Sequence, residues 1–205
     1  MKYPPKYHQD NNINHMIEVI KAYPLATLIS VKDNQPLITH LPLIYNNEGK
    51  LIGHIDKFNP QAELLKDDND VTIIFSGPQC YISPSIYATK QLPTWNYIIV
   101  HLKATVTAIE SKESLKESLI DMTSFLEAPE HKFVLEPDNR SMEGYLDYIK
   151  MFEITITDWE GKFKLSQDKK PRDMESARAE LIRANQKSIE QFLNKVFLNQ
   201  DDLNK

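Results

Sequence analysis

Phe75-Ser-Gly-Pro-Gln-Cys-Tyr-Ile-Ser-Pro-Ser-Ile-Tyr87, a short polar link, and then Pro93-Thr-Trp-Asn-Tyr-Ile-Ile-Val-His-Leu-Lys-Ala-Thr-Val-Thr-Ala-Ile-Glu110 decide how this chain folds. The second half alternates between two kinds of face, as a long strand does. Asn96, Ile98, Val100, Leu102, Ala104, Val106 and Ala108 make a mostly apolar set that reads as core. Trp95, Tyr97, Ile99, His101, Lys103, Thr105 and Thr107 make an amphipathic set free to face a ligand or another subunit. The first half gathers tyrosines and hydroxyls around turn-forming prolines, which is how rigid strands aim polar groups at a ligand. A binding site is expected here.

Working outward, the flanking segments are short strands with helices between them. Ile13, Met16, Ile17 and Ile20 recur at helical spacing and Pro24 stops that helix. Leu25–Val31 and Pro36–Ile44 read as a hairpin about Asp33-Asn34, with Pro42 implying an edge or a bulge. Lys50–Ile55 is a third strand, and Asn59-Pro60 opens a short helix. Val71–Phe75 is a continuous apolar strand, hence expected to be buried on both faces. Ser111 caps a helix running to about Glu127, a loop covers 128–139, and 141–150 is a short helix. Met151–Thr157 is a strand, Glu160-Gly161 a turn, and Lys162–Leu165 the returning strand. Met174, Ala177, Leu181, Ile189, Phe192 and Val196 mark an amphipathic C-terminal helix at about 172–199. The intervals between strands are too short for βαβ crossovers, so the expected fold is α+β, mainly β: an antiparallel barrel with flanking helices, one domain over 1–205.

Composition bounds the function. At 205 residues with 41% hydrophobic residues, the chain is long enough to fill one core. No apolar run approaches the ~20 residues that span a bilayer, and a lone Cys80 fits a reducing compartment, so a cytoplasmic location without membrane contact is expected. Cys80 itself reads as a small buried hydrophobe. A net charge of −5 argues against a surface coated by nucleic acid. From Lys162 to Lys187, however, eight basic residues face four acidic ones, a local +4.

Motifs narrow the chemistry further. Five glycines fall in no Rossmann or Walker spacing, so a bound nucleotide must be held by side chains of strands and loops. There is no Gly-x-Ser-x-Gly elbow, and no His/Cys or His/Glu cluster has metal-ligand spacing, although His40, His54 and His101 lie on three separate strands that could converge. Three features remain: Thr39-His40, the segment from Gly53-His54 to Asn59-Pro60 with Lys57, and Gly161-Lys-Phe-Lys-Leu-Ser-Gln167. Lys57, Lys162, Lys164 and Ser166 are cations and a hydroxyl of the kind a phosphate needs, and Trp95 with Tyr97 offers flat surfaces for a ring. Each has a plainer reading, a solvated hairpin face for the lysines and ordinary core for the aromatics.

The chain resembles the FMN-binding negative transcriptional regulators of the PaiB type. The segments that carry the resemblance are Pro24-Leu-Ala-Thr-Leu28, Thr39-His-Leu-Pro-Leu43, Gly53-His54 with Asn59-Pro-Gln61, Gly77-Pro78 with Tyr81-Ile-Ser-Pro-Ser85 and Tyr87, Pro93-Thr-Trp-Asn-Tyr97 with Val100-His101, and Gly161-Lys-Phe-Lys-Leu-Ser-Gln167. They run in the family's order over nearly the whole chain. The resemblance implies a split β-barrel like that of the pyridoxamine phosphate oxidases, a homodimer with flavin at the subunit interface, and repression of sporulation and degradative-enzyme genes in bacteria. Together with side-chain chemistry it places the flavin ring near Thr39, His40, Leu41 and His54, with Trp95, Asn96 and Tyr97 lining the pocket. The phosphate falls near Lys57, Lys162, Lys164 and Ser166, and Asn59, His101 and Gln167 complete the expected cofactor-binding residues.

Three positions depart from the family pattern: Lys57 stands where the family has Arg, Ile86 where it has Trp, and Asp168 where it has Asn. Lys57 keeps the charge but loses the bidentate fork. Asp168 adds a negative charge near the anion site, and Ile86 removes an aromatic surface. The same barrel also hosts FMN-dependent oxidoreductases, and a cofactor-free interaction protein would keep the barrel alone. No helix-turn-helix is present, so any DNA contact is expected to be weak or indirect.

Overall fold

In the computed structural model, which describes residues 3–185, seven strands carry the fold. They are β1 (Gln9–Asp10), β2 (Leu25–Lys32), β3 (Gln35–Tyr45), β4 (Leu51–Asp56), β5 (Asp70–Ile82), β6 (Thr94–Ile109) and β7 (Ile149–Lys164). The helices are α1 (Ile13–Ala22), α2 (Lys112–Glu127), α3 (Arg140–Tyr145) and α4 (Pro171–Asn185). Hydrogen bonding orders the strands β1-β7-β4-β3-β2-β5-β6, and β6 pairs again with β7, which closes the ladder on itself. The continuation of the C-terminal helix to about 199 lies outside the described residues.

The chain divides into two compact units, one from the described residues of 1–23, 74–101 and 159–205, the other from 24–73 and 102–158. In the second unit, β2 and β3 form an antiparallel hairpin from Leu25↔Pro42 to Lys32↔Gln35. Asp33 and Asn34 both take positive φ (52° and 61°), the two-residue turn whose twist matches its strands. Pro42 falls where β3 leaves β2, because Leu43 already pairs with Gly53 of β4. A residue with no N–H is tolerated at that handover. Gly53 is demanded by packing, since a Cβ there would lie 2.4 Å from Leu43 Cδ2 and 2.9 Å from Phe152 Cζ. Below α2 and α3, Leu115, Met142, Leu146 and Met151 form a satellite core.

In the first unit, Asn12 Oδ1 caps α1 by accepting from the Asn14 N–H, and α1 buries Met16, Val19 and Ile20. β6 keeps the expected alternation, with Asn96, Ile98 and Val100 no more than 1% exposed in this unit and Leu102, Ala104 and Val106 no more than 2% in the other. At about 1.5–3 kcal/mol per fully buried aliphatic side chain, this strand is a principal source of cohesion.

Three expectations need correction. Glu160-Gly161 is no turn; β7 runs unbroken to Lys164, and Gly161 serves instead for close approach, a Cβ there meeting Asp10 O at 2.5 Å where β1 pairs. Val71–Phe75 is not buried on both faces: Thr72 is exposed between buried Val71 and Ile73. Gly77-Pro78 does not break the chain into a turn, since β5 continues through it to Ile82. Gly77 is again a close-approach residue, its absent Cβ 3.1 Å from Ile98 O.

Candidate functional site

The β2–β3 hairpin presents an apolar ladder to the outside. Residues directly opposed across an antiparallel pair share a face, so Leu25↔Pro42, Thr27↔His40, Ile29↔Ile38 and Val31↔Pro36 line up on one side. Leu25, Val31 and Ile38 are 62%, 64% and 56% exposed, and His40 is exposed among them. Thr39 and Leu41 point the other way, with Leu41 buried. A flat apolar ladder with one imidazole and one hydroxyl set into it can accept the face of a planar ring. Of the predicted residues Thr39, His40 and Leu41, His40 alone lies on that ladder.

Thr39 is tied to the loop after β4, because Asn59 Nδ2 donates to Thr39 Oγ1 at 3.1 Å. Asn59 Oδ1 in turn accepts from the Gln61 N–H and starts the short helix Pro60–Leu64. Lys57 N donates to Tyr148 O at 2.9 Å and Lys57 Nζ donates to Asp147 O at 2.8 Å. The cation thus faces solvent with the Asp147 carbonyl as its hydrogen-bond acceptor, and its charge helps lower the pKa of the Asp147 carboxyl. Phe58, 78% exposed, leans its ring on Tyr148 at 6.2 Å.

His54 stands apart from the ladder. Its Nε2 lies 2.6 Å from Ser118 Oγ on α2, and Ser118 Oγ also donates to Leu115 O at 3.0 Å. Burial pushes the imidazole pKa down to about 4, so the ring is neutral near pH 7. This histidine fastens α2 to β4. Ser118 was missed in the sequence, although a serine on the buried stripe beside Leu115 and Leu119 was the available signal.

The remaining predicted residues lie in the first unit. Trp95 is 49% exposed, donates from Nε1 to Gln79 Oε1 at 2.9 Å and packs at 6.4 Å against Tyr81. Tyr97 shares its face, whereas Asn96 is 1% exposed on the opposite one and accepts from Ser166 Oγ at 3.1 Å. Ser166, itself 2% exposed, takes positive φ (64°) past the end of β7 and also meets Tyr87 OH at 3.2 Å. It therefore turns inward rather than following Lys162 and Lys164. Gln167 bridges the turn: Oε1 accepts from Leu165 N–H at 2.7 Å and lies 2.9 Å from His8 Nδ1, while Nε2 donates to Phe163 O. Lys162 lies 3.1 Å from Glu160, which offsets its charge; Lys164 Nζ donates to the neutral Thr94 Oγ1 at 2.7 Å. His101 Nδ1 is 4.0 Å from Glu160, and burial, then Lys162, lowers its pKa.

The basic run beyond Lys162 is largely neutralised. Asp168 pairs with Lys169, Glu175 with Arg178 and Glu180 with Arg183. Asp173 is fully buried, accepting from Ala88 N–H at 2.7 Å and from Thr89 Oγ1, so it anchors the loop after Tyr87 to α4. The Thr89 bond, reinforced by the Ala88 N–H, holds its carboxyl below the usual range. Among the described residues no group of three His, Cys, Asp or Glu side chains is placed to hold a metal ion, so the trio of His40, His54 and His101 does not form. No described helix is long and apolar enough to cross a membrane.

The closed antiparallel ladder with helices on its flanks defines a split β-barrel. The FAD and heme binding protein from Mycobacterium smegmatis has the same fold, with a TM-score of 0.63 at 15% identity over 83% of this chain and 80% of that one. In sequence the chain is 31% identical over 176 residues to the protease synthase and sporulation protein PAI 2 of Bacillus subtilis, 83% of this chain and 84% of the relative. It is 26% identical over 164 residues to an uncharacterized protein of Saccharomyces cerevisiae, 67% of this chain and 95% of that one. A family model described as "Putative FMN-binding domain" matches residues 2–158. The chain belongs to this FMN-binding family, and a flavin is the cofactor the family implies.

Proposed function

We propose that the protein is a single-domain, homodimeric flavin-binding regulator that represses sporulation and degradative-enzyme genes. The observation that carries the reading is the exposed ladder Leu25, Ile29, Val31 and Ile38 with His40 set into it. So much contiguous apolar surface on one sheet face is what a ring-binding site or a subunit interface needs. The residues of this unit fit a flavin in two respects. The ladder suits the isoalloxazine face, and Lys57, whose ammonium meets a neutral carbonyl in solvent, can turn to a phosphate. His54, committed to Ser118, is not part of this ring site. A bound flavin would supply one- and two-electron redox chemistry; the chain's own residues orient the ring and hold its phosphate.

FMN titration of the purified protein, followed by quenching of flavin fluorescence, tests the reading. Lys57→Met keeps the stem and removes the charge; the expected loss is about 1.5–3 kcal/mol of binding, the range of a charge-assisted hydrogen bond. Wild-type protein that never takes up FMN would overturn it. Kinship with a yeast protein favours a second reading, an FMN-dependent oxidoreductase, because a fungal relative is not explained by bacterial sporulation genes. Bleaching of the bound flavin by a reduced nicotinamide cofactor, with turnover on an added acceptor, would select it.

A further inference from the structure

A cavity of about 430 Å³ opens in the second unit at the turn end of β2, where β5, β6 and β7 also contribute. Ile29 and Val31 of the exposed ladder reach its wall, and none of the other residues discussed for flavin lines it. Its volume is that of a small-molecule site, and its lining sorts into three kinds of group. Ile29, Val31 and Leu64 make apolar wall, and Asp70 and Lys103 bring opposite charges. Ser30 supplies a hydroxyl that is 3% exposed.

The two charges are the informative part. Among the described residues neither the Asp70 nor the Lys103 side chain has a hydrogen-bond or ion-pair partner, although they line one cavity. A lone anion would be drawn to Lys103 and repelled by Asp70, and a lone cation the reverse. A molecule carrying both charges, separated by more than a single ion-pair length and joined by an apolar body, satisfies the whole lining. The Ser30 hydroxyl in the same lining is held in place from within the protein. Gln61, 1% exposed, donates from Nε2 to Ser30 Oγ at 3.0 Å and to Leu28 O at 3.2 Å. Ser30 Oγ therefore accepts from inside the protein and keeps its own O–H to donate. Among the described residues Gln61 Oε1 has no partner and is left as a buried acceptor.

We propose that this cavity binds a short aliphatic peptide with free termini, its carboxylate on Lys103 and the Ser30 hydroxyl, its ammonium on Asp70, and its side chains on Ile29, Val31 and Leu64. This goes beyond the flavin reading, with which it shares Ile29 and Val31 of the ladder but neither charged residue. Calorimetric titration of the full chain with Leu-Leu, N-acetyl-Leu-Leu and Leu-Leu-amide tests it. Leu-Leu binds, and each blocked peptide binds at least about tenfold more weakly. In Asp70→Asn the acetyl block ceases to matter, and in Lys103→Met the amide block ceases to matter; both variants keep the melting temperature and flavin uptake of the wild type. No binding of Leu-Leu at millimolar concentration overturns the proposal, as does equal binding of free and blocked peptides. Loss of flavin uptake in Lys103→Met would also overturn it, by showing that the cavity serves the cofactor.

Discussion

The contact between His54 and Ser118 makes a stability prediction whose size follows from burial. The imidazole pKa is pushed from its ordinary 6.5 down to about 4, because the charged form would lose its hydration beneath α2. The folded state thus binds fewer protons than the unfolded chain between these values, so stability rises with pH across the window. The contribution is complete above about pH 6.5 and is lost as pH falls through about 4. At 1.36 kcal/mol per pK unit, the interval is worth about 3 kcal/mol, a large share of the total for a marginally stable domain.

His54→Gln isolates the effect, since a glutamine amide nitrogen can take the place of Nε2 toward Ser118 without titrating. Urea unfolding should be compared at pH 7 and pH 4.2, on either side of the isoelectric point near 5.7 where low net charge favours precipitation. Wild type should lose about 3 kcal/mol more than the variant between these conditions. His8 and His101, also lowered by burial, add the same sign to both proteins and cancel in the difference. Ser118→Ala should cost about 0.5–1.5 kcal/mol at either pH and leave the slope intact, because burial and not the hydrogen bond sets the shift. Parallel pH dependence in wild type and His54→Gln would refute the reasoning, and so would an NMR titration midpoint for His54 near 6.

Ile38→Asp places a charge in the exposed ladder and should convert a dimer near 48 kDa to the 23.8 kDa monomer in light scattering; a wild type already monomeric at micromolar concentration refutes the dimer. Gly161→Ala should lower stability by about 1–3 kcal/mol in urea unfolding, because its Cβ meets the rigid carbonyl of Asp10 at 2.5 Å. DNA binding, in a gel-shift series across salt, should be weak and vanish well below about 0.2 M salt; tight sequence-selective binding at high salt would reveal a reading element.

How much the sequence disclosed depended on whether one strand or a neighbour decided the outcome. The two faces of β6 were legible from Asn96 to Val106 because strand alternation is a property of the strand itself. The same alternation already separated Trp95 and Tyr97 from Asn96, and His40 from Thr39 and Leu41, so grouping them around one ring conflicted with the pattern. Gly161 looked like a turn residue because glycine is permissive in turns, and Gly77 stood in a stretch read as shaped by turn-forming prolines. Only the approach of Asp10 and Ile98 shows that these glycines make room for a neighbouring strand. His54 read as a ligand-facing histidine because nothing in its own segment announces a serine 64 positions away.

The charges behaved likewise. A local excess of +4 counted along 162–187 loses its force once Glu160, Asp168, Glu175 and Glu180 each sit beside a basic partner. Lys164, which donates to a neutral hydroxyl, keeps a charge that composition could not single out, whereas Lys57 lies close enough to the Asp147 carboxylate to help lower its pKa. A cation suited to an anionic ligand is therefore marked by the absence of a carboxylate beside it, not by the density of lysines around it in sequence. By that criterion Lys164 is marked and Lys162 is not, while Lys103, which lines one cavity with Asp70, falls outside it and calls for a ligand that carries both signs.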